Sequence, residues 1–134
     1  MQSILLLSLI GILLAVPSLA EGGLLGGLEA ADADDDAKAV DRAAHFAVVE
    51  LNKKSNSLFA SKLTDIKSAQ KQVVQGMNYY LTIEMTQTNC KHNNGPVKDL
   101  DSCDTDNKVK QICTVTVNEF MKKSELLKDS CTKT

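Results

Sequence analysis

The chain has 134 residues, with 15 basic and 17 acidic side chains and a net charge of −2. That length suits one domain with one modest core. No basic face stands out, which excludes a nucleic-acid partner from the expectation.

Ile4 to Val16 is an almost unbroken apolar run. Ser18-Leu19-Ala20 then puts small residues where a signal peptidase would cut. The run is too short to span a bilayer and no second one follows, so residues 1–20 read as a secretory signal peptide. Its n-region carries no Lys or Arg. Residues 21–134 are expected to form a single secreted, extracellular domain, with no membrane partner. Residues 21–31 read as a flexible arm, Gly-rich at Gly22, Gly23, Gly26 and Gly27, and carrying Leu24, Leu25 and Leu28. Exposed leucines on such an arm either pack back on the domain or wait for a pocket.

A helix is expected next. Asp34 to Asp36 offer N-caps whose charge suits the positive helix end. Val40, Ala44, Ala47 and Leu51 recur at helical spacing and define one apolar face, widened by Phe46 and Val48. Lys53 and Lys54 suit the negative end. Leu63 and Ile66 then mark a first strand. Beyond it, Met77, Tyr79, Leu81, Ile83 and Met85 alternate with Asn78, Tyr80, Thr82, Glu84 and Thr86, the strongest strand signal in the chain. The apolar set should face the helix. Between these strands lies Gln72-Val73-Val74-Gln75-Gly76. Hairpin tips normally carry Asn, Asp, Gly or Pro and face water. Two adjacent valines there either fold back on the core or await a partner surface.

Residues 87–108 read as a long polar loop with a turn at Asn93-Asn94-Gly95-Pro96. Val109, Cys113, Val115 and Val117 resume the alternation. Asn118 to Lys123 breaks it, and Leu126-Leu127 opens a last short strand. The sum is an α+β domain, one helix on an antiparallel sheet of four or five strands.

All four cysteines fall after residue 89, which fits an oxidising compartment. They allow three pairings. The sequential one, Cys90–Cys103 with Cys113–Cys131, closes two short loops, each worth about 3 kcal/mol on the chain-entropy model. A zinc site competes poorly, because there is no Cys-x-x-Cys pair and His92 is the only nearby imidazole. No metal and no cofactor are expected. A nucleophilic cysteine would need a His partner, and His45 and His92 are the only candidates. The carboxylates of Asp32–Asp36 and of Asp99, Asp101, Asp104 and Asp106 sit at a cap and in a loop, as solvated charge. No phosphate loop appears. The chain therefore reads as a binder and not an enzyme, with no catalytic residues.

Taken together, the mature chain resembles the type-2 cystatins, secreted inhibitors of papain-like cysteine proteases. Gln72-Val73-Val74-Gln75-Gly76 matches their Gln-x-Val-x-Gly first hairpin loop at all three fixed positions. Phe46-Ala47 in the helix, four late cysteines and a Leu-Leu-Gly stretch ahead of the helix also match. The resemblance implies a cystatin-like fold, one long helix packed on a five-stranded antiparallel sheet. It implies reversible, non-covalent inhibition of cathepsin-type enzymes by a monomer, through a wedge of arm and hairpin loops. The arm's glycine falls on Gly26 or Gly27, with Leu24 and Leu25 entering the non-primed pockets. The second loop of the family carries Pro-Trp, whereas this chain has no Trp. Its tip must lie within residues 118–123, where Phe120 or Met121 would substitute. Ser55-Asn56-Ser57 matches the loop by which some type-2 cystatins block legumain, an asparagine-specific endopeptidase. Loss of Pro-Trp leaves an alternative, a cystatin-fold binding or signalling protein whose protease inhibition is weakened or lost.

Overall fold

The helix predicted from the apolar spacing forms over α1, Asp34–Lys54, in the computed structural model of the chain. Residues 27–30, 34–92, 97 and 99–134 are described, without the side chains of residues 34, 35 and 106–108. The expected leader, Leu24, Leu25, Gly26, Asp32 and the Asn93–Pro96 turn lie outside the described residues. Lys53 and Lys54 occupy the last turn of α1, where cations complement the helix dipole.

The inward face of α1 is made of small residues. Ala43, Ala44 and Ala47 are completely buried, flanked by Val40 and Val48. Without long side chains between them, the helix and sheet backbones come close together. Phe46 and Leu51 pack at the margins, as the wider apolar face predicts.

Five strands follow one another across a single antiparallel sheet in chain order. They are β1 (Glu29–Ala30), β2 (Phe59–Val74), β3 (Gly76–Lys91), β4 (Thr105–Phe120) and β5 (Lys123–Lys133). Tyr79, Leu81, Ile83 and Met85 of β3 all bury against the helix, as their alternation predicts. Cys113, Val115 and Val117 of β4 do the same.

Several local expectations are corrected. The arm is not wholly free, because Glu29 and Ala30 pair with Lys71 and Gln70. The polar loop is shorter than 87–108, since β3 runs to Lys91 and β4 starts at Thr105. A short 3-10 turn, Leu100–Ser102, lies within it. The last strand is not short; it has 11 residues. Val109 is exposed, because the buried part of β4 begins only at Cys113. Thr86, assigned to the outer face, is buried, with its hydroxyl 2.9 Å from that of Thr64.

Strand β2 shows why its pattern was hard to read. Its pairing with β3 shifts between Leu63 and Asp65 and again between Ile66 and Ser68. Each shift leaves one extra residue on β2, Thr64 and then Lys67. Leu63, Ile66 and Ala69 therefore all pack on the core at spacings of three rather than two. Such bulges bend a strand and raise its twist, which lets β2 curve around the helix.

Cys90 bonds to Cys103 and Cys113 to Cys131, the sequential pairing. The first ties the β3–β4 connection to the end of β3. The second joins directly opposed residues of β4 and β5.

The close helix–sheet contact yields a test. Ala47→Leu inserts a branched side chain where no space exists, and should destabilise the fold by about 1–3 kcal/mol in urea denaturation. Ala37→Leu, on the exposed face of the same helix, should shift stability by less than about 0.5 kcal/mol.

Candidate functional site

Antiparallel pairing brings three chain segments to one end of the sheet. Val74 pairs with Gly76, leaving Gln75 alone at the tip of the first hairpin. Phe120 pairs with Lys123, leaving Met121 and Lys122 as the tip of the second. Because Met77 faces Glu119 across β3 and β4, the two tips stand side by side. On the other flank Glu29 faces Lys71, and continuing that register puts Gly27 level with Val73. The arm thus leaves the sheet beside the first tip.

The apolar side chains at this end are uncovered. Val73 is 59% exposed, Val74 41% and Met121 78%, with Phe120 and Leu28 also exposed. The alternative that the valines fold back on the core is not what forms. Aliphatic surface left in water is unfavourable, by about 25 cal/mol per Å². A cluster of it at one end of a small domain is the mark of an interaction site.

Gly76 locks the two tips together. Its φ is +87°, a conformation that glycine adopts without strain. A Cβ there would lie 2.3 Å from the Glu119 carbonyl oxygen and 2.8 Å from Phe120 Cβ. The glycine is required twice, by its own backbone and by its neighbour strand. Phe120 accordingly forms part of the wall beside Gly76.

The second tip is a two-residue turn with φ of 52° at Met121 and 66° at Lys122. Two positive φ values in a two-residue hairpin loop are the pattern of a type I′ turn, which normally selects Asn-Gly. Side chains with a Cβ cost on the order of 1–2 kcal/mol per residue in that region. Met121 stands exposed at the apex of this turn.

Polar contacts brace both hairpins from behind. Arg42 of α1 donates two hydrogen bonds to Glu119, from Nη2 at 2.8 Å and Nε at 3.0 Å. This bidentate pair fixes the base of the second hairpin to the helix. Lys71 pairs with Asp36 at 3.0 Å and does the same for β2 beside the arm. Burial, and secondarily the Glu119 carboxylate, hold the Tyr79 phenol above its ordinary range. On the outer face, Asn118 donates to the Gln75 carbonyl at 3.2 Å and to Asn78 Oδ1 at 2.8 Å. Asn78 in turn donates to the Tyr80 hydroxyl, which donates to Gln72 Oε1 at 2.7 Å. Sequence reasoning gave Arg42, Asn78 and Tyr80 no part in the site, and placed Asn118 and Glu119 there only as members of the second tip.

Ser55, Asn56 and Ser57 lie elsewhere, exposed between α1 and β2. They stand at the end of β2 opposite to the tip, separated from it by 16 strand residues, roughly 50 Å of extended chain. Ser55 Oγ accepts from the Ser57 amide at 3.0 Å, and Ser57 Oγ accepts from Gln87 at 3.2 Å. Asn52 anchors this loop by exchanging two hydrogen bonds with the Ser61 backbone. His45 is half-exposed on α1, with Nδ1 2.9 Å from the Asp41 carbonyl. Among the described residues no His, Cys, Asp and Glu cluster could hold a metal ion. Among them, too, no helix is long and apolar enough to cross a membrane.

Comparison with known proteins fits this geometry. The cystatin domain family model matches residues 26–122. Cystatin-C of Bos taurus is 39% identical over 117 residues, covering 83% of this chain and 76% of its own. L-cystatin of Tachypleus tridentatus is 34% identical over 128 residues, covering 92% and 94%. Among solved structures, dimeric human cystatin F superposes with a TM-score of 0.72 at 26% identity, over 82% of this chain and 89% of that one.

The double requirement for glycine gives a prediction. Gly76→Ala should displace the Glu119–Phe120 backbone and destabilise the protein by on the order of 1–3 kcal/mol. Chemical-shift changes should concentrate on residues 74–77 and 118–121 and leave the Leu81–Ile83 core unchanged.

Proposed function

The chain belongs to the cystatin family, a family of protease inhibitors rather than enzymes, and on that footing we propose that it is a secreted inhibitor of papain-like cysteine proteases. Residues 1–20 serve as its signal peptide, and the mature domain acts outside the cell as a monomer. Inhibition is reversible and non-covalent. The observation that carries this reading is the convergence of residues 27–30, 73–76 and 120–122 at one end of the sheet.

In this reading the first tip enters the active-site cleft of a cathepsin-type enzyme, where Val73 and Val74 lose their contact with water. Gln72, Gln75 and Gly76 shape the tip. Leu24 and Leu25 occupy the non-primed pockets. Gly26 or Gly27 then turns the backbone aside from the nucleophile, so the arm binds as a substrate does without offering a bond for cleavage. Phe120 and Met121 supply the second contact in place of an indole. No residue of the inhibitor performs chemistry, and burial of apolar surface drives association.

A second, separable activity rests on Ser55-Asn56-Ser57. The Asn56 carboxamide is exposed on a loop braced by Ser55, Ser57 and Asn52. It suits an enzyme that recognises asparagine, as legumain does. The absence of Trp from the second tip favours one competing reading, a cystatin-fold binding or signalling protein with weakened inhibition. Titration against papain separates the two, because only an inhibitor abolishes peptide hydrolysis at a definite stoichiometry.

Val74→Asp puts a charge into the interface and should weaken papain binding by about 3 kcal/mol, roughly a hundredfold in Kd. The thermal transition should be unchanged, since the tip lies outside the core. Unaltered inhibition would remove the first hairpin from the contact.

Asn56→Lys should abolish inhibition of legumain while leaving inhibition of papain intact, because distant sites without shared partners behave independently. An ammonium group can donate but cannot accept, unlike the carboxamide it replaces. Parallel loss of both activities in an inhibition panel would contradict two separate sites.

A further inference from the structure

We infer that Asn118 is a positioning residue, holding the first hairpin tip in its binding conformation from the neighbouring hairpin. The inference deepens the inhibitory reading and rests on it for affinity alone. Gln75 is the one tip residue without a strand partner, since Val74 already pairs with Gly76. Its carbonyl is held by a side chain from a third strand, the Asn118 carboxamide at 3.2 Å. The end of a carboxamide that faces a carbonyl must be its NH2, which has two protons to give. The second goes to Asn78 Oδ1 at 2.8 Å. The chain of donors then continues through Tyr80 to Gln72, on the rising side of the same tip. One side chain therefore grips both the apex of the turn and, through two relays, the strand that enters it.

Val73 and Val74 are exposed, so their side chains are not buried in the core to anchor the turn. Gly76 gives the tip close neighbours in Glu119 and Phe120 but, lacking a side chain, no hook. The strand pairing ends at Val74 and Gly76, and beyond it the hydrogen bond from Asn118 holds the apex carbonyl. A tip held before binding loses less freedom on association, so pre-ordering appears as affinity. The second hairpin, with no indole to offer, would then act on the target partly through the first.

The test uses the full mature chain carrying Asn118→Ala or Asn118→Asp. The aspartate is isosteric but cannot donate to the Gln75 carbonyl. Both variants should bind papain about tenfold more weakly, the scale of one lost hydrogen bond. Amide exchange, read in the free protein, should accelerate at Gln75, Gly76 and Met77 and stay slow at Leu81, Ile83 and Val115. Val74→Ala should cost much less in the Asn118→Ala background than in the parent, because the valine is no longer presented. Full additivity would overturn the inference, as Asn118 would then act independently of the tip. Unchanged tip exchange, or full protection in Asn118→Asp, would overturn it equally. A parent chain that does not inhibit papain would refute the inhibitory reading, and tip exchange alone would then decide for or against Asn118.

Discussion

The depth to which the helix lies in the sheet sets the rest of the structure. Ala43, Ala44 and Ala47 give α1 a face with almost no relief. The sheet can close on it only by curving, and the extra residues at Thr64 and Lys67 supply the bend. Larger side chains on the helix would push the sheet outward. The two hairpins would stay together, because Met77 and Glu119 are paired across β3 and β4, but Arg42 would lose its reach to Glu119.

Two ion pairs turn this packing into a frame. Arg42 ties the helix to the second hairpin through Glu119, and Lys71 ties β2 to the start of the helix through Asp36. Surface pairs of this kind add little to stability, about 0–1 kcal/mol each. Their effect is geometric, because each lies within a few residues of a loop that must be held in place. The bidentate Arg42–Glu119 fork also sets the orientation of Glu119, the residue against which Gly76 abuts.

Sequence legibility follows the same physics. The helix was readable because one uninterrupted face is buried, and β3 because it alternates over the stretch the helix covers. Strand β2 was not, because each bulge resets the period. Strand β1 was not, because Glu29-Ala30 holds its place through two backbone pairings and carries no apolar signal. The length of β5 was hidden by a register shift that leaves Leu127 over and in water, beside a half-buried Leu126. The second tip lacked the usual turn residues, with Met and Lys in positions that favour Asn and Gly. The first tip was legible by its family resemblance and by two adjacent valines at a turn, whose exposure only the structure decides. Asn118 was beyond any local pattern, because its acceptor is a backbone carbonyl 43 residues away.

The strands cross the sheet in the order in which they occur in the chain, so no strand is inserted between two older neighbours. The two hairpin loops at the end that carries the exposed valines are simple reversals between strands already side by side. Lengthening or rewriting such a reversal changes nothing about which strands pair. Apart from Gly76, whose missing side chain the neighbouring strand requires, the apex residues face water, whereas any enlargement on the alanine face of the helix meets the core at once. A chain built this way separates the residues that decide strand order from those that shape its apices, and Met121-Lys122, where a turn would prefer Asn-Gly, shows that the sheet closes even around an unfavourable reversal.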